Sequence, residues 1–376
     1  MTERSEGIKG HAPVVTPSDE GGPMTEQVSV PGIDVPHLSS WLAEALPGEG
    51  TITGIDLLAG GRSNLTYLVR LENRRVVLRR PPLGHVLPTA HDMRREYTVL
   101  SALAGSDVPV PAPLALCTDE DVIGAPFYVM DHVEGRVMRT PEDAADVTAA
   151  EARALSERLA EALAAIHLLD VERAGLGDFG RPHGYMARQL KRWCRQWESS
   201  HSAEEGGRTD EAYDRLVQRL GERLPSDGLT GLVHGDFRLD NALVRLRPEP
   251  EIAAVVDWEM STLGDPLSDL GLTLTYWADA GEADRTPTAV GSTVTSAPGF
   301  LTRAEFAGRY ADLTGHDLSH LDFYVAFGCF KLAVILEGIH ARYLQKATVG
   351  EGFDRIGASV PVYLDRAHQV LDEGAL

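Results

Sequence analysis

Only three cysteines, Cys117, Cys194 and Cys329, occur in 376 residues, and they form an odd, scattered set. That excludes a disulfide framework and any thiolate site with metal-ligand spacing, and it fits reduced, buried thiols in a cytoplasmic protein. Positive charge is scarce as well. Against 56 acidic residues there are 35 basic ones, a formal net charge of −21. A chain so balanced lacks the positive footprint that nucleic-acid backbones require, so no nucleic-acid partner is expected. The balance tolerates a cationic substrate, although a sum of charges does not locate a site. Long apolar runs are also missing. The start, Met1-Thr-Glu-Arg-Ser-Glu-Gly, has no apolar stretch of the kind a secretory signal needs. The segment Phe323 to Leu336 is short for a membrane span and is interrupted by Lys331, so a buried core helix is expected and no membrane partner. No internal repeat is present. Residues 1–34, rich in Ser, Pro, Gly, Glu and Thr, have little apolar periodicity and read as a disordered leader.

What the chain does have is 43% hydrophobic residues over a length that exceeds one ordinary domain, enough for two lobes with sizeable cores. A helix is expected from Pro36 to Leu46, ending near Pro47-Gly48. Strand-like runs come next at Thr51–Leu58, Asn64–Leu71, Arg75–Arg79, Leu114–Thr118 and Phe127–Met130. Between the third and fourth of these, Thr89-Ala-His-Asp92 reads as a helix start with Thr89 as N-cap. Residues 35–133 therefore make a small α+β lobe of sheet and one helix, ending in a hinge near Asp131-His-Val-Glu-Gly135. Residues 134–376 are expected to be mainly helical, opening with an amphipathic helix over Thr148–Asp170 that aligns Leu155, Leu159, Leu163 and Ile166. Asp279 to Pro298 has the composition of a mobile surface loop.

The most informative stretch is Leu232-Val-His-Gly-Asp-Phe-Arg-Leu-Asp-Asn241 followed by Val255-Val-Asp-Trp258. It sets Asn241 five positions after Asp236 and Asp257 sixteen after Asn241, the order and spacing of a kinase-type phosphoryl-transfer site. Each polar group stands at the mouth of a short apolar, strand-like run, which argues against a merely solvated loop. Asp236 is the candidate catalytic residue, positioning a hydroxyl and accepting its proton. Asn241 and Asp257 offer oxygen ligands to Mg²⁺, a hard cation content with few protein ligands. His234 and Asp269 are read as supports, His234 packing the loop and Asp269 capping its backbone amides. Asp240 is either solvent-facing or loop-bracing, and His167 a core or bracing histidine.

Upstream, the turn Gly60-Gly61-Arg62-Ser63-Asn64 lies between two strand patterns, where backbone amides and the Gly60, Gly61, Ser63 and Asn64 positions could cradle the phosphates of ATP. In Val76-Val-Leu-Arg79 the last residue takes the place of the phosphate-binding lysine of protein kinases. Strand alternation sends only one of Arg79 and Arg80 inward, and Arg79 is preferred. Glu96 on the next helix is its candidate partner, or else an exposed helix charge. Met130, Asp131 and Val133 at the hinge complete the nucleotide-binding set. Trp193, Trp197, Trp258 and Trp277 either line an acceptor pocket or pack in the core.

These segments carry a resemblance. "VHGDFRLDNALV" and "VVDWEMSTLGDPLSDLG" resemble the Brenner and metal-binding motifs of the aminoglycoside phosphotransferase (choline kinase-like) superfamily. With "GGRSNLTY", "VVLRRPPLGHVLPTAHDMRREYTVL", "FYVMDHVEG", "LKRWCRQWE" and "FKLAVILEGIHARY", the chain is most similar to phosphotransferase-family proteins related to the kinase-like domain of certain acyl-CoA dehydrogenases. The resemblance implies a bilobal, protein kinase-like fold and ATP-dependent transfer of the γ-phosphoryl group to a hydroxyl of a small molecule. It also departs from the protein kinases. Gly235 replaces the arginine of H-R-D, and only eight positions separate Asp257 from Asp265, too few for a peptide-binding activation segment. The alternatives are a catalytically silent nucleotide-binding regulator and, by likeness to the aminoglycoside enzymes, a resistance kinase acting on aminosugars. Loss of Asp236, Asn241 or Asp257 would signal the regulator, and none is lost. A metal-dependent hydrolase would need a further His/Asp cluster, which the sequence lacks.

Overall fold

The computed structural model describes residues 30–58, 64–83, 91–200, 208–282, 293–345 and 355–376. Helix α1 (Val35–Ala45) starts where the Asp34 side chain accepts the His37 N–H at 3.1 Å. Strands β1 (Ile52–Leu57), β2 (Leu65–Leu71) and β3 (Arg75–Arg80) form a meander. Strands β4 (Pro113–Cys117) and β5 (Phe127–Asp131) complete an antiparallel sheet in the order β1-β2-β3-β5-β4. Residues 30–34, expected within the disordered leader, are instead tied to this sheet. The Pro31 carbonyl accepts the Tyr67 hydroxyl at 2.5 Å and the Gly32 carbonyl accepts from Arg80.

Period-two alternation sorts the sheet's two faces. Val76 and Leu78 pack outward against Leu38 and Leu42 of α1, whereas Val77 joins Tyr128 and Met130 on the inner face. Helix α2 (Met93–Leu103) packs on that inner face through Val99, Leu100 and Leu103. Its N-cap is Asp92, which accepts the Arg95 N–H at 3.1 Å, so the helix begins later than a Thr89 cap would place it. Thr89 itself lies outside the described residues.

Beyond Gly135 the chain is mainly helical. A capping box between Thr148 and Glu151 starts α3 (Ala149–His167). It is followed by α4 (Tyr185–Ser200) and α5 (Arg208–Glu222). Two small antiparallel ribbons come next, β6 (Gly231–Val233) with β9 (Thr262–Gly264), and β7 (Ala242–Arg245) with β8 (Glu251–Val255). Helices α6 (Leu267–Tyr276), α7 (Arg303–Thr314), α8 (Leu321–Leu344) and α9 (Ile356–Glu373) finish the chain.

Helix α8 is the central post. At 24 residues it is longer than the apolar segment read from sequence, and it is long and apolar enough to cross a membrane. Length therefore does not make it a core helix; its surroundings do, since 78% of its most apolar window is buried under other helices. Helix α6 crosses it so closely that a Cβ on Gly271 would meet the Tyr324 backbone at 2.5 Å. Part of the expected mobile loop is pinned: Asp279 and Glu282 hold Arg303 at 3.0 and 2.6 Å, and Val294 is buried.

Candidate active site

Strand β6 ends at Val233 and delivers the loop His234-Gly235-Asp236 into the interior. Asp269, in the first turn of α6 and fully buried, receives the His234 N–H at 2.6 Å and the Gly235 N–H at 2.8 Å. His167 Nε2 stands 3.4 Å from the same carboxylate, and its Nδ1 is 2.7 Å from the Tyr310 hydroxyl. Burial alone would raise the Asp269 pKa, yet the His167 contact, with help from the Gly235 amide, outweighs it and holds the carboxyl below its ordinary value. The His234 ring is buried against Trp258. Its Nδ1 accepts the Asp236 N–H at 3.3 Å, and its Nε2 therefore carries the proton given to the Val256 carbonyl at 3.0 Å. Gly235 has φ +86°, and a Cβ there would meet the Met260 carbonyl oxygen at 2.7 Å. The glycine of H-G-D is thus demanded by the turn as well as by the absence of an activation segment.

The loop folds back to bring two of its own side chains to Asp236. Asn241 Nδ2 donates to the Asp236 carbonyl at 2.8 Å and to its carboxylate at 3.0 Å, which turns the amide oxygen away from the loop. Arg238 Nε lies 3.7 Å from the Asp236 carboxylate, its Nη2 is 3.5 Å from Asp240, and its guanidinium covers the Tyr276 ring at 4.8 Å. Asp240 braces the loop and does not face solvent, and burial raises its pKa.

Asp257 sits at the end of β8 with φ 69°, a left-handed conformation that a non-glycine residue holds at a cost of about 1–3 kcal/mol. Its carboxylate receives Arg79 Nη2. The same guanidinium places Nε 2.9 Å from Glu96 and Nη2 3.8 Å from Glu259. Of the two adjacent arginines, Arg79 is therefore the one inside, and Arg80 points the other way, to the Gly32 and Ile123 carbonyls. Glu96 is a buried residue and not an exposed helix charge. Burial drives its pKa up to about 7 against the pull of Arg79 and the Tyr128 hydroxyl. Burial opposes the charge on Arg79, but Glu96, Asp257 and Glu259 overcome it and raise its pKa.

The Asn64 side chain is tied into the Arg79 cluster. Its Nδ2 donates to Glu96 at 2.7 Å and to Glu259 at 3.0 Å, and its Oδ1 meets His91 Nδ1 at 2.7 Å. The side chain is consumed in bracing carboxylates and has nothing left for a phosphate. Gly60, Gly61 and Ser63 lie outside the described residues.

Two cavities flank the His234–Asp257 assembly. One of ≈ 350 Å³ is lined by Arg79, Met130, Asp131, Val133, Asn241 and Asp257, so hinge and polar residues share one space. Within it the Asp131 amide is spent on the Ala112 carbonyl and its carboxylate on Arg74. Asn241 and Asp257 present hard oxygen donors on one wall, a set that suits a cation completing its shell with water and phosphate oxygens. Among the described residues no cluster of three or more His, Cys, Asp or Glu forms a metal site. The second cavity, ≈ 610 Å³, opens beside Gly235 and takes in Trp193 and Lys331. Of the four tryptophans considered for an acceptor pocket, Trp193 lines that space and Trp258 the smaller one, while Trp197 stacks on Tyr213 and Trp277 packs on Phe306.

Residues 54–303 match the phosphotransferase enzyme family known as APH. The chain belongs to that family. A Ralstonia eutropha structure provisionally assigned as an aminoglycoside phosphotransferase superposes with a TM-score of 0.77 at 32% identity, covering 90% of this chain and 98% of that one. Rat acyl-CoA dehydrogenase family member 11 is 37% identical over 83% of this chain. The chain spans 40% of that relative, and no more than that of the other first curated relatives. A thermostable mutant of aminoglycoside phosphotransferase APH(4)-Ia in ternary complex with AMP-PNP and hygromycin B shares the fold at 16% identity and a TM-score of 0.55, covering 90% of this chain and 98% of that one. The α+β architecture and its five-stranded antiparallel sheet are those of this kinase-like family.

Sequence reading passed over Glu259 and Lys331. Glu259 comes two residues after Asp257 and closes the Arg79 cluster. Lys331 Nζ donates to the Gly235 carbonyl at 2.8 Å from the middle of α8. A lone lysine within an apolar run was its signal: an ammonium that costly to bury needs a purpose inside the fold.

Proposed function

We propose that this phosphotransferase moves the γ-phosphoryl group of ATP to a hydroxyl of a small molecule, with Mg²⁺ as cofactor. The observation that carries the reading is that Arg79, Asn241 and Asp257, from three separate segments, line one cleft between the sheet and the helices, with Asn241 bonded to the Asp236 carboxylate and Arg79 to that of Asp257. Arg79, held by Glu96, binds the α- and β-phosphates through its planar fork. Met130 and Val133 border the base. Asn241 and Asp257 hold Mg²⁺, which when bound neutralises charge on the phosphate oxygens. Asp236, fixed by Asn241, orients the acceptor hydroxyl in line and takes its proton as the phosphoryl group leaves. His234 and Asp269 hold that loop and touch no substrate.

A small acceptor fits the path of the chain after Asp257. One tight turn, β9 and the start of α6 fill the interval to Leu267, so no platform for a peptide intervenes. A hydroxylated acyl thioester or related metabolite is our preferred acceptor, given relatives that carry an acyl-CoA dehydrogenase name. The test is a screen of hydroxylated metabolites and aminoglycosides with purified protein and Mg·ATP, reading transfer by mass. A phosphorylated product that disappears with Asp236→Ala is expected. Tight nucleotide binding with no product from any acceptor would favour the silent regulator.

A further inference from the structure

The larger cavity has an electrical character opposite to that of the whole chain. Five cations line it: Arg95, Arg181, Arg188, Arg192 and Lys331. Two carboxylates share the wall, and both are engaged elsewhere. Asp92 caps α2, and Glu259 serves Asn64 and Arg79. Among the described residues the five cations meet no carboxylate in an ion pair. Arg95 donates to the Phe179 and Ser261 carbonyls, Arg188 to those of His183 and Arg181, and Lys331 to that of Gly235. Arg192 lies 5.5 Å from the Trp193 ring. Elsewhere on this surface exposed arginines meet carboxylates, as Arg70 does Asp56 and Arg75 does Glu134.

Arg188 and Arg192 stand one helical turn apart on α4, and like charges at that spacing repel. Burial and the charge of Arg192 both push the Lys331 ammonium pKa down, against Asp236 and Asp269. A chain with a net charge of −21 keeps this repulsion beside its phosphoryl-transfer loop. Guanidinium groups gathered in a cleft focus a positive potential and match carboxylate or phosphate oxygens two at a time.

We propose, resting on the phosphotransferase function, that this cavity is an anion subsite for the acceptor: Arg181, Arg188 and Arg192 hold a phosphate or carboxylate carried by the acceptor while its hydroxyl reaches Asp236. Lys331 forms the floor and, through the Gly235 carbonyl, links that subsite to the catalytic loop. A cationic aminosugar would face five like charges here.

The experiment uses the full chain without nucleotide or magnesium and compares glycerol, glycerate and glycerol 3-phosphate, with kanamycin as the cationic probe. Saturation-transfer NMR and calorimetry read binding. Glycerol 3-phosphate or glycerate should bind while glycerol and kanamycin do not, and the two anions tell phosphate from carboxylate. Arg188→Gln with Arg192→Gln should weaken that binding at least about tenfold, the loss expected for removed charge-assisted hydrogen bonds. Arg195→Gln, the loss of one positive charge on the same helix outside the cavity, should leave it intact, and thermal melts check that each variant folds. Equal binding of glycerol and glycerol 3-phosphate, kanamycin binding as well as the anions do, or equal losses in the Arg195 variant would overturn the subsite. Anion binding without transfer to any acceptor would sink the kinase reading and leave the subsite standing. Transfer to uncharged and charged acceptors with the same kcat/KM would do the reverse.

Discussion

Arg79 and Arg80 are neighbours on β3, and their opposite fates come from the pleat: one enters a nest of three carboxylates, the other takes backbone carbonyls on the far face. Sequence could narrow the choice to this pair because alternation is local. It could not show that Asn64 would be used up by Glu96, Glu259 and His91, because those partners come from two other segments, the start of α2 and the turn after Asp257. Glu96 gives this cluster a pH dependence. Its folded pKa, about 7, lies above that of an unfolded glutamate, about 4.3. Between those values the native state keeps a proton the unfolded chain has released. Glu96 therefore favours folding at the acid end, and that contribution is lost as pH rises through 7. For binding the sign is opposite: below 7 the proton on Glu96 cancels its hold on Arg79. KM for Mg·ATP should rise as pH falls through 7 in the wild type, and Glu96→Gln should show a high KM with that pH step removed. Initial rates from pH 5.5 to 8.5 would show it; an identical step in the variant would assign it to another group. At Asp236, replacement by alanine should lower kcat by at least about 10²-fold, the scale for a positioned acid–base group, with nucleotide affinity nearly unchanged. Steady-state rates and nucleotide titration check both halves, and full activity would remove Asp236 from the mechanism.

Elements were legible where their signals are local. The five strands of the sheet and α3 lie within a residue or three of where alternation, periodicity and the Thr148 cap put them. The start of α2 shifted because two capping candidates, Thr89 and Asp92, stand three residues apart, and only the backbone path decides which one caps. The three-residue strands β6 and β9 take their meaning from each other, some thirty residues apart along the chain. The catalytic loop depends on such long-range support. Removing Asp269 would leave the buried amides of His234 and Gly235 unpaired. With about 1–3 kcal/mol for each buried group left unsatisfied, Asp269→Ala should destabilise the fold by about 2–6 kcal/mol. Chemical denaturation measures this, and a loss under about 0.5 kcal/mol, the range of ordinary surface substitutions, would mean that the carboxylate does not hold the loop. Gly235→Ala should act on the same loop by a different route, since the new methyl meets the Met260 carbonyl and the left-handed turn is strained. A fall in kcat larger than any rise in nucleotide KM is expected from steady-state kinetics.

Across the whole molecule, a continuous core runs from Val77, Tyr128 and Met130 on the inner face of the sheet through α2 to α8 and α9. The two regions are thus joined by packing as well as by the Arg79–Asp257 bridge. That two-region plan was readable from composition and pattern. The charge of the cavity beside Gly235 was not, because its cations come from α2, the Arg181 loop, α4 and α8 and a net charge averages them away. Phosphoryl transfer in this cleft requires Asp257 and Asn241 to hold a metal-bound nucleotide opposite Arg79. Calorimetric titration of ATP into the wild type, Asp257→Ala and Asp236→Ala, with and without magnesium, decides whether they do. Magnesium-dependent binding in the wild type, its loss in Asp257→Ala and its persistence in Asp236→Ala are expected. Undiminished Mg·ATP affinity in Asp257→Ala would contradict that role for the cleft.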